Sequence, residues 1–190
     1  MVLLDLLRQQ VGLELIIGHF NHGIRSDSDK DEELVRATAK KYGLPFEVGH
    51  GHLGPSASED AARQARYQFL EAIGQQHKAK AIITAHHQDD LIETALLNII
   101  RGTKRKGLTA IGSNVRILRP LLETPKQEIL NYARQHRLKW RDDPSNKELK
   151  YLRNYLRIKV IPKMNQSQRT ELLKNIDNVA KINITVDSQI

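Results

Sequence analysis

Two short segments concentrate the side chains able to do chemistry. The stretch H-F-N-H-G-I-R carries His19, Asn21, His22 and Arg25, a polar set too dense for a simple turn. The stretch H-H-Q-D-D carries His86, His87, Asp89 and Asp90, and Glu93 follows one helical turn later on the same face. Imidazoles beside carboxylates suit a divalent or transition metal, as in a metal-dependent phosphohydrolase using His86 and Asp90. A site built only from protein groups wants more donors than this one segment supplies. A Mg²⁺ ion carried in by a nucleotide and touched by Asp90 needs fewer. Asp89 has a plainer option, capping the helix that follows. Arg63 and Arg66 lie on adjacent turns of the preceding helix, and their plain option is to pair with Glu59 and Asp60.

Other chemistries are excluded. With no cysteine there is no disulfide framework, thiolate zinc site, cysteine nucleophile or persulfide relay in these 190 residues. No G-x-x-x-x-G-K-S/T segment occurs, which removes the P-loop NTPases. Gly49, Gly51 and Gly54 match G-x-G-x-x-G, but Pro55 follows the third glycine where a dinucleotide fold would continue a helix. The segment reads as a mobile loop instead.

The elements that must position these groups alternate along the chain. Leu3, Leu4, Leu6 and Leu7 open it at helical spacing, with no capping residue before them. Strands are expected at 13–20, 45–52, 79–87 and 114–121. Helices are expected at 26–44, 61–77, 89–102 and 125–138, the second capped by Ser56 or Ser58, then a turn at 142–146 and two further helical stretches. Strand-helix alternation predicts an α/β fold, a Rossmann-like parallel sheet with helices on both faces. Ligands in such folds sit at the carboxyl ends of strands, where both polar segments fall.

Length suits one domain with a short appendage. The expected division is a nucleotide-binding domain over 1–140 and a basic helical segment over 141–190. The net charge of +8 is regional: residues 101–163 hold 17 Lys and Arg against 5 Asp and Glu. Arg153 and Arg157 lie four apart on one helix face, with Trp140, Tyr151 and Tyr155 near in sequence for stacking on bases. Such a surface fits a polyanion such as nucleic acid. No apolar run approaches the roughly 18–20 residues that span a bilayer, and Asp5 interrupts the apolar opening, so a soluble cytoplasmic protein is expected.

Six blocks in order, H-F-N-H-G-I-R, E-D-A-A-R-Q-A-R-Y, A-H-H-Q-D-D-L-I-E-T with L-L-N-I-I-R-G, R-P-L-L, W-R-D-D-P-S-N and R-N-Y-L-R, resemble the tRNA(Ile)-lysidine synthetase family of N-type ATP pyrophosphatases. The resemblance spans about residues 1–165. It implies ATP and Mg²⁺ as cofactors, and L-lysine and a tRNA(Ile) with a CAU anticodon as partners. The implied chemistry is adenylation of the wobble cytidine at its C2 oxygen, followed by attack of the lysine ε-amine. By resemblance Asp90 and Arg66 take catalytic positions, with Glu93 receiving the lysine ammonium. His19, Asn21, His22, Arg25 and His86 line the nucleotide and base pocket. Arg63, Arg101, Lys104, Arg105, Arg119, Arg153, Asn154 and Arg157 contact tRNA or the reacting nucleotide. Lys104 stands where the family often has a second glycine. The family's S-G-G-x-D-S pyrophosphate loop is not in the sequence, so the expectation is that Met1 is an internal position, that a first strand is missing, and that turnover is impaired. A noncatalytic tRNA-binding role, and a homodimer formed through an unpaired sheet edge, are the remaining expectations.

Overall fold

A computed structural model describes residues 1–51, 54, 58–112, 114–142, 148–149 and 151–189. The expected Ser56 cap, Pro55, most of the 142–146 turn and Lys150 lie outside them. The fold is α/β, as the alternation predicts, and the chain divides into two compact units. The first comprises Met1–Ile82, Val115–Ile117 and Ala133–Arg141, and the second Ile83–Asn114, Leu118–Tyr132 and Asp142–Ile190.

In the first unit β1 (Ile17–Asn21) and β2 (Phe46–His50) pair in parallel, Ile17 opposite Phe46 and Asn21 opposite His50. Parallel neighbours need a crossover, and α2 (Ser28–Tyr42) supplies it. This helix has Asp29 and Asp31 in its first turn and Lys40 and Lys41 in its last, complementing its dipole at both ends. It stops at Gly43, whose left-handed φ of 64° lets the Leu44 N–H bond back to the Ala39 carbonyl at 3.0 Å. The next helix, α3 (Glu59–Gln76), starts where the Ser58 hydroxyl accepts the Ala61 N–H at 3.1 Å.

Strand alternation sorts the two helices onto opposite faces. Even-numbered Gly18 and Phe20 meet α3: the Phe20 and Phe69 rings are 5.6 Å apart. A Cβ on Gly18 would lie 2.5 Å from Ile73 Cδ1, and one on Gly49 would lie 2.6 Å from the Phe69 ring. Odd-numbered Asn21 and its neighbour His50 meet α2, both bonding Glu32. Gly49 is therefore a strand residue held to glycine by an aromatic ring, not part of a mobile loop. The expected strand at 13–20 begins only at Ile17, whose N–H reaches the Pro45 carbonyl at 2.9 Å, and Leu13 is exposed. Before them, α1 (Val2–Leu7) buries Asp5, which accepts from Arg8 Nε at 2.9 Å and the Tyr42 hydroxyl at 3.3 Å.

The strands expected at 79–87 and 114–121 contract to β3 (Ile82–Ile83) and β4 (Ile117–Leu118). Two ladder bonds explain the contraction: Ile82 N–H to the Arg116 carbonyl at 2.7 Å in the first unit, and Thr84 N–H to the Leu118 carbonyl at 3.0 Å in the second. Partner numbers rise together, so this pairing is also parallel.

The second unit is built around α4 (Gln88–Ile100), which buries Ile92, Glu93, Thr94, Ala95 and Leu97. Against it pack α5 (Arg105–Leu108), α7 (Leu152–Tyr155) with its continuation as a π-turn over Leu156–Val160 and a 3₁₀ turn over Ile161–Lys163, and α8 (Gln166–Asp187). Reciprocal bonds between Asn165 and Gln168 cap α8, at 2.9 and 3.0 Å. Buried Asn183 ties its far end to Arg105 Nη1 at 2.5 Å. The helix α6 (Lys126–Gln135) belongs to this unit up to Tyr132 and to the first from Ala133, which is buried.

Two alanine substitutions test the close approach of α3. Gly49→Ala is expected to lower unfolding stability by about 1–3 kcal/mol through overpacking, whereas Gly74→Ala, in α3 with no atom within 4 Å of the added Cβ, is expected to raise it by about 0.5–1 kcal/mol. Urea midpoints of the two variants should therefore move in opposite directions.

Candidate functional site

The segment after β3 delivers its groups to the start of α4. Asp90 Oδ2 accepts the backbone N–H of His87 at 3.0 Å, closing the helix end from the third helical position. The capping option open to Asp89 is thus taken by Asp90, because the third position reaches back to that N–H. Asp89 instead accepts from Arg169 of α8 at 2.8 Å.

One turn on, Glu93 is 1% exposed and meets two guanidiniums, Arg157 Nε at 2.7 Å and Arg153 Nη1 at 3.3 Å. Arg157 also approaches Asp90 Oδ1 at 3.4 Å. Arg157 sits in the π-turn, a form enriched at functional sites. Burial pushes the Glu93 carboxyl above its usual range, against the pull of Arg157 and Arg153. His87 is lowered, again by burial first, with Asp90 opposing. Four predicted residues, Asp90, Glu93, Arg153 and Arg157, are therefore brought together in one charge cluster.

The nearby His86 ring has its Nδ1 2.9 Å from the Thr84 hydroxyl and 3.3 Å from Arg119 Nε. Arg119 is buried.

In the first unit the H-F-N-H-G-I-R cluster is divided by the pleat. His19 and Asn21 face α2: Asn21 is buried, donates to Asp29 at 2.8 Å, and accepts the Gly23 N–H at 3.1 Å. Gly23 has φ 65°, and a Cβ there would lie 2.6 Å from the Gly51 carbonyl oxygen, so no other residue fits this turn. His22 faces the α3 side, edge-on to Phe20 with centroids 4.9 Å apart. Its Nδ1 is buried with no hydrogen-bond partner among the described residues. Burial lowers His22, and the charge of Arg66 lowers it further; burial likewise lowers His19 against the pull of Glu32. Arg66 is half-buried, its pKa lowered by that burial, and it has no carboxylate within ion-pair distance among the described residues. The plainer option, pairing of Arg63 and Arg66 with Glu59 and Asp60, is not taken among the described residues; both approach the Tyr67 ring, at 5.3 and 5.6 Å. Arg25 joins Asp27 and Asp31, which also hold Arg141 at 2.7 and 2.6 Å.

The sequence profile of the PP-loop domain family matches residues 1–164. The chain belongs to the PP-loop domain family. It is 36% identical over 170 residues to a tRNA(Ile)-lysidine synthase of Thermus thermophilus, covering 85% of this chain and 33% of that protein. The enzyme of that name from Ralstonia nicotianae is 39% identical over 154 residues, covering 77% and 33%. The one from Caldanaerobacter subterraneus is 35% identical over 189 residues, covering 95% and 40%. This PP-loop domain thus spans a third to two fifths of the length of these relatives. Its fold is shared with the U34-tRNA thiolase of Methanococcus maripaludis, a structure with a 4Fe-4S cluster, at TM-score 0.64 and 20% identity, covering 95% of this chain and 61% of that one. No cysteine is present here to ligate such a cluster.

The basic residues of this PP-loop domain differ in what they touch. Arg105 binds Asp187 at 2.8 Å as well as Asn183, Asn154 is buried and donates to the Glu148 carbonyl at 3.1 Å, and Arg119, Arg153 and Arg157 are engaged as described above. Arg63, Arg101 and Lys104 have no ion-pair partner among the described residues, and Arg101 and Lys104 are exposed. Sequence reasoning missed Arg169 and Arg141. Their partners lie 80 and 110 residues away, so no local signal marks them. Among the described residues no group of three or more His, Asp or Glu could hold a metal by itself.

Removing one partner of a buried pair strands the other. Arg157→Ala is expected to cost about 3 kcal/mol, and Arg157→Gln combined with Glu93→Gln less than the sum of the single changes, as read by urea denaturation. The pH dependence has a definite sign. A carboxyl raised by burial contributes stability that is present below its unfolded pKa and lost as pH rises through the raised folded value. The parent chain should therefore lose stability relative to Glu93→Gln as pH rises out of the ordinary carboxylate range; a gain on that rise would show that the ion pairs outweigh burial.

Proposed function

We propose that this chain is the ATP-handling part of a tRNA(Ile)-lysidine synthase, a C–N bond-forming ligase of the cytoplasm. The observation that carries the reading is the Asp90–Glu93 carboxylate pair at the start of α4, already in contact with guanidinium cations, in a chain 35–39% identical to enzymes of that name. Among the described residues no helix is long and apolar enough to cross a membrane.

In this reading the C2 oxygen of the wobble cytidine, in a tRNA with a CAU anticodon, attacks the α-phosphorus of ATP and pyrophosphate leaves. The ε-amine of L-lysine, having lost its proton, then adds at C2, and AMP leaves with that oxygen. Carboxylates that hold a guanidinium can hold the lysine ammonium by the same charge and hydrogen-bond chemistry once Arg157 yields, which assigns that role to Glu93 with Asp90 beside it. A single carboxylate such as Asp90 fits Mg²⁺ whose other ligands are nucleotide phosphates and water, and the ion would neutralise charge building on pyrophosphate. Arg66 and His22 supply an unneutralised cation and an unsatisfied ring nitrogen for the nucleotide or flipped base. Of the residues assigned to tRNA, Arg63, Arg101 and Lys104 have no ion-pair partner among the described residues, which leaves their charge for tRNA phosphates. Residues 1–140 handle the nucleotide, and 141–190 form a basic helical segment.

AMP release from ATP is the test. It is expected to be slow, since no S-G-G-x-D-S segment lies within these 190 residues, to require both lysine and the CAU tRNA, and to disappear in Asp90→Ala. Formation of ADP, or AMP release indifferent to lysine, overturns the reading. A noncatalytic tRNA-binding role would instead leave tRNA affinity intact in Asp90→Ala with no AMP at all. For tRNA contact, Arg101→Ala with Lys104→Ala should lower affinity uniformly across tRNAs and reduce the slope of log affinity against log salt by about 1–2.

A further inference from the structure

In the first unit the segment that leaves α6 packs against α2 and is fastened at both ends. The Leu138 N–H bonds the Ala133 carbonyl at 2.9 Å, and Arg141 holds Asp31 and Asp27, at the start of α2, at 2.6 and 2.7 Å. Between these anchors stands Trp140, the one tryptophan of the chain, 39% exposed. It walls a cavity of about 380 Å³ that Leu34 of α2, Leu138, Lys139 and Arg141 complete. An aromatic surface held between two fixed points costs little to order when a ligand lands on it.

The charges beside this cavity suit a planar anion. Arg141 is neutralised by its two carboxylates, whereas Lys139 and Arg137, both exposed, have no ion-pair partner among the described residues. Arg137 ends α6 with φ 50°, a left-handed backbone that glycine adopts freely, so a cation is kept there at a cost in strain. The cavity is at the small end of ligand sites, which run roughly 300–1,000 Å³. A partner helix, about 10–12 Å across, does not seat in it; a single nucleobase does. We propose that the Trp140 cavity stacks an unpaired nucleotide of the tRNA, with Lys139 and Arg137 on the flanking phosphates, at a site that shares no residue with the α4 cluster. The identity of the RNA rests on the lysidine synthase reading above. The stacking needs only an unpaired base, because every base has a face to stack.

The single tryptophan reports on its own site, with no variant needed. Titrating the whole chain with the CAU tRNA, and separately with a short unpaired RNA oligonucleotide, should quench the indole emission at the same midpoint as binding measured by filter retention. RNA retained with unchanged emission overturns the proposal, and so does retention of neither RNA. Trp140→Ala should weaken retention of both about tenfold, with Trp140→Tyr, which keeps a stacking ring, within about threefold of the parent. Equal losses in the two variants would mark a packing role and overturn the stacking. Arg137→Gly combined with Lys139→Ala should reduce the slope of log affinity against log salt by about 1–2. Lys78→Gly, the same backbone change where α3 ends with φ 53°, should keep the parental slope. An unchanged slope in the double variant overturns the phosphate contacts. Quenching by both RNAs without lysine-dependent AMP release would leave the site standing and count against the ligase reading. Lysine-dependent AMP release with bound tRNA and unquenched emission would do the reverse.

Discussion

A carboxylate on the buried face of α4 governs the second unit. Glu93 is 1% exposed, and an isolated charge in such a place costs several kcal/mol unless it is paired. The pairing groups come from 60 and 64 residues later, Arg153 and Arg157, so the charge on α4 obliges α7 and the π-turn to pack where they do. The same logic extends outward. Asp89 recruits Arg169 at the start of α8, and Asp187 and Asn183 at its end recruit Arg105 and Lys106. A helix of 22 residues with only two buried side chains is thus secured at both ends by charged and amide contacts more than by apolar burial.

These pairings change the meaning of the net charge. A basic excess over residues 101–163 suggests a surface for a polyanion, yet Arg105, Arg153 and Arg157 in that span have carboxylates of their own chain, and Arg141 is held by Asp27 and Asp31. Part of that excess is thus neutralised within the chain, and some cations without such partners among the described residues stand where total charge gives no hint. Arg66 lies in α3, outside the basic region. Half-buried and lowered by desolvation, it stands beside a histidine whose ring nitrogen lacks a partner. Unneutralised charge in a partly dry place acts more strongly on a ligand than charge on an open surface.

Much of the architecture was legible because its causes are local. The order of helices and strands follows from apolar spacing, the end of α2 from Gly43 and its basic last turn, and the α4 residues Asp90 and Glu93 share a face by helical period alone. The strands are shorter than their apolar runs because such a run does not say where a ladder partner ends, as at Ile17 and at the two-bond pairing of β3 with β4. The cluster from His19 to Arg25 looked like one site because its members are near in sequence. An extended backbone turns successive side chains to opposite faces, and Asn21 and His22 accordingly look toward different helices.

The sequence by itself determined the fold class, the helix ends and the segments that carry the chemistry, since these depend on periodicity, caps and backbone preferences acting within a few residues. Only the tertiary structure decided which charges neutralise one another, and that Asp90 rather than Asp89 closes α4. Those outcomes depend on distances and burial between groups tens of residues apart, and spacing along a chain does not encode them.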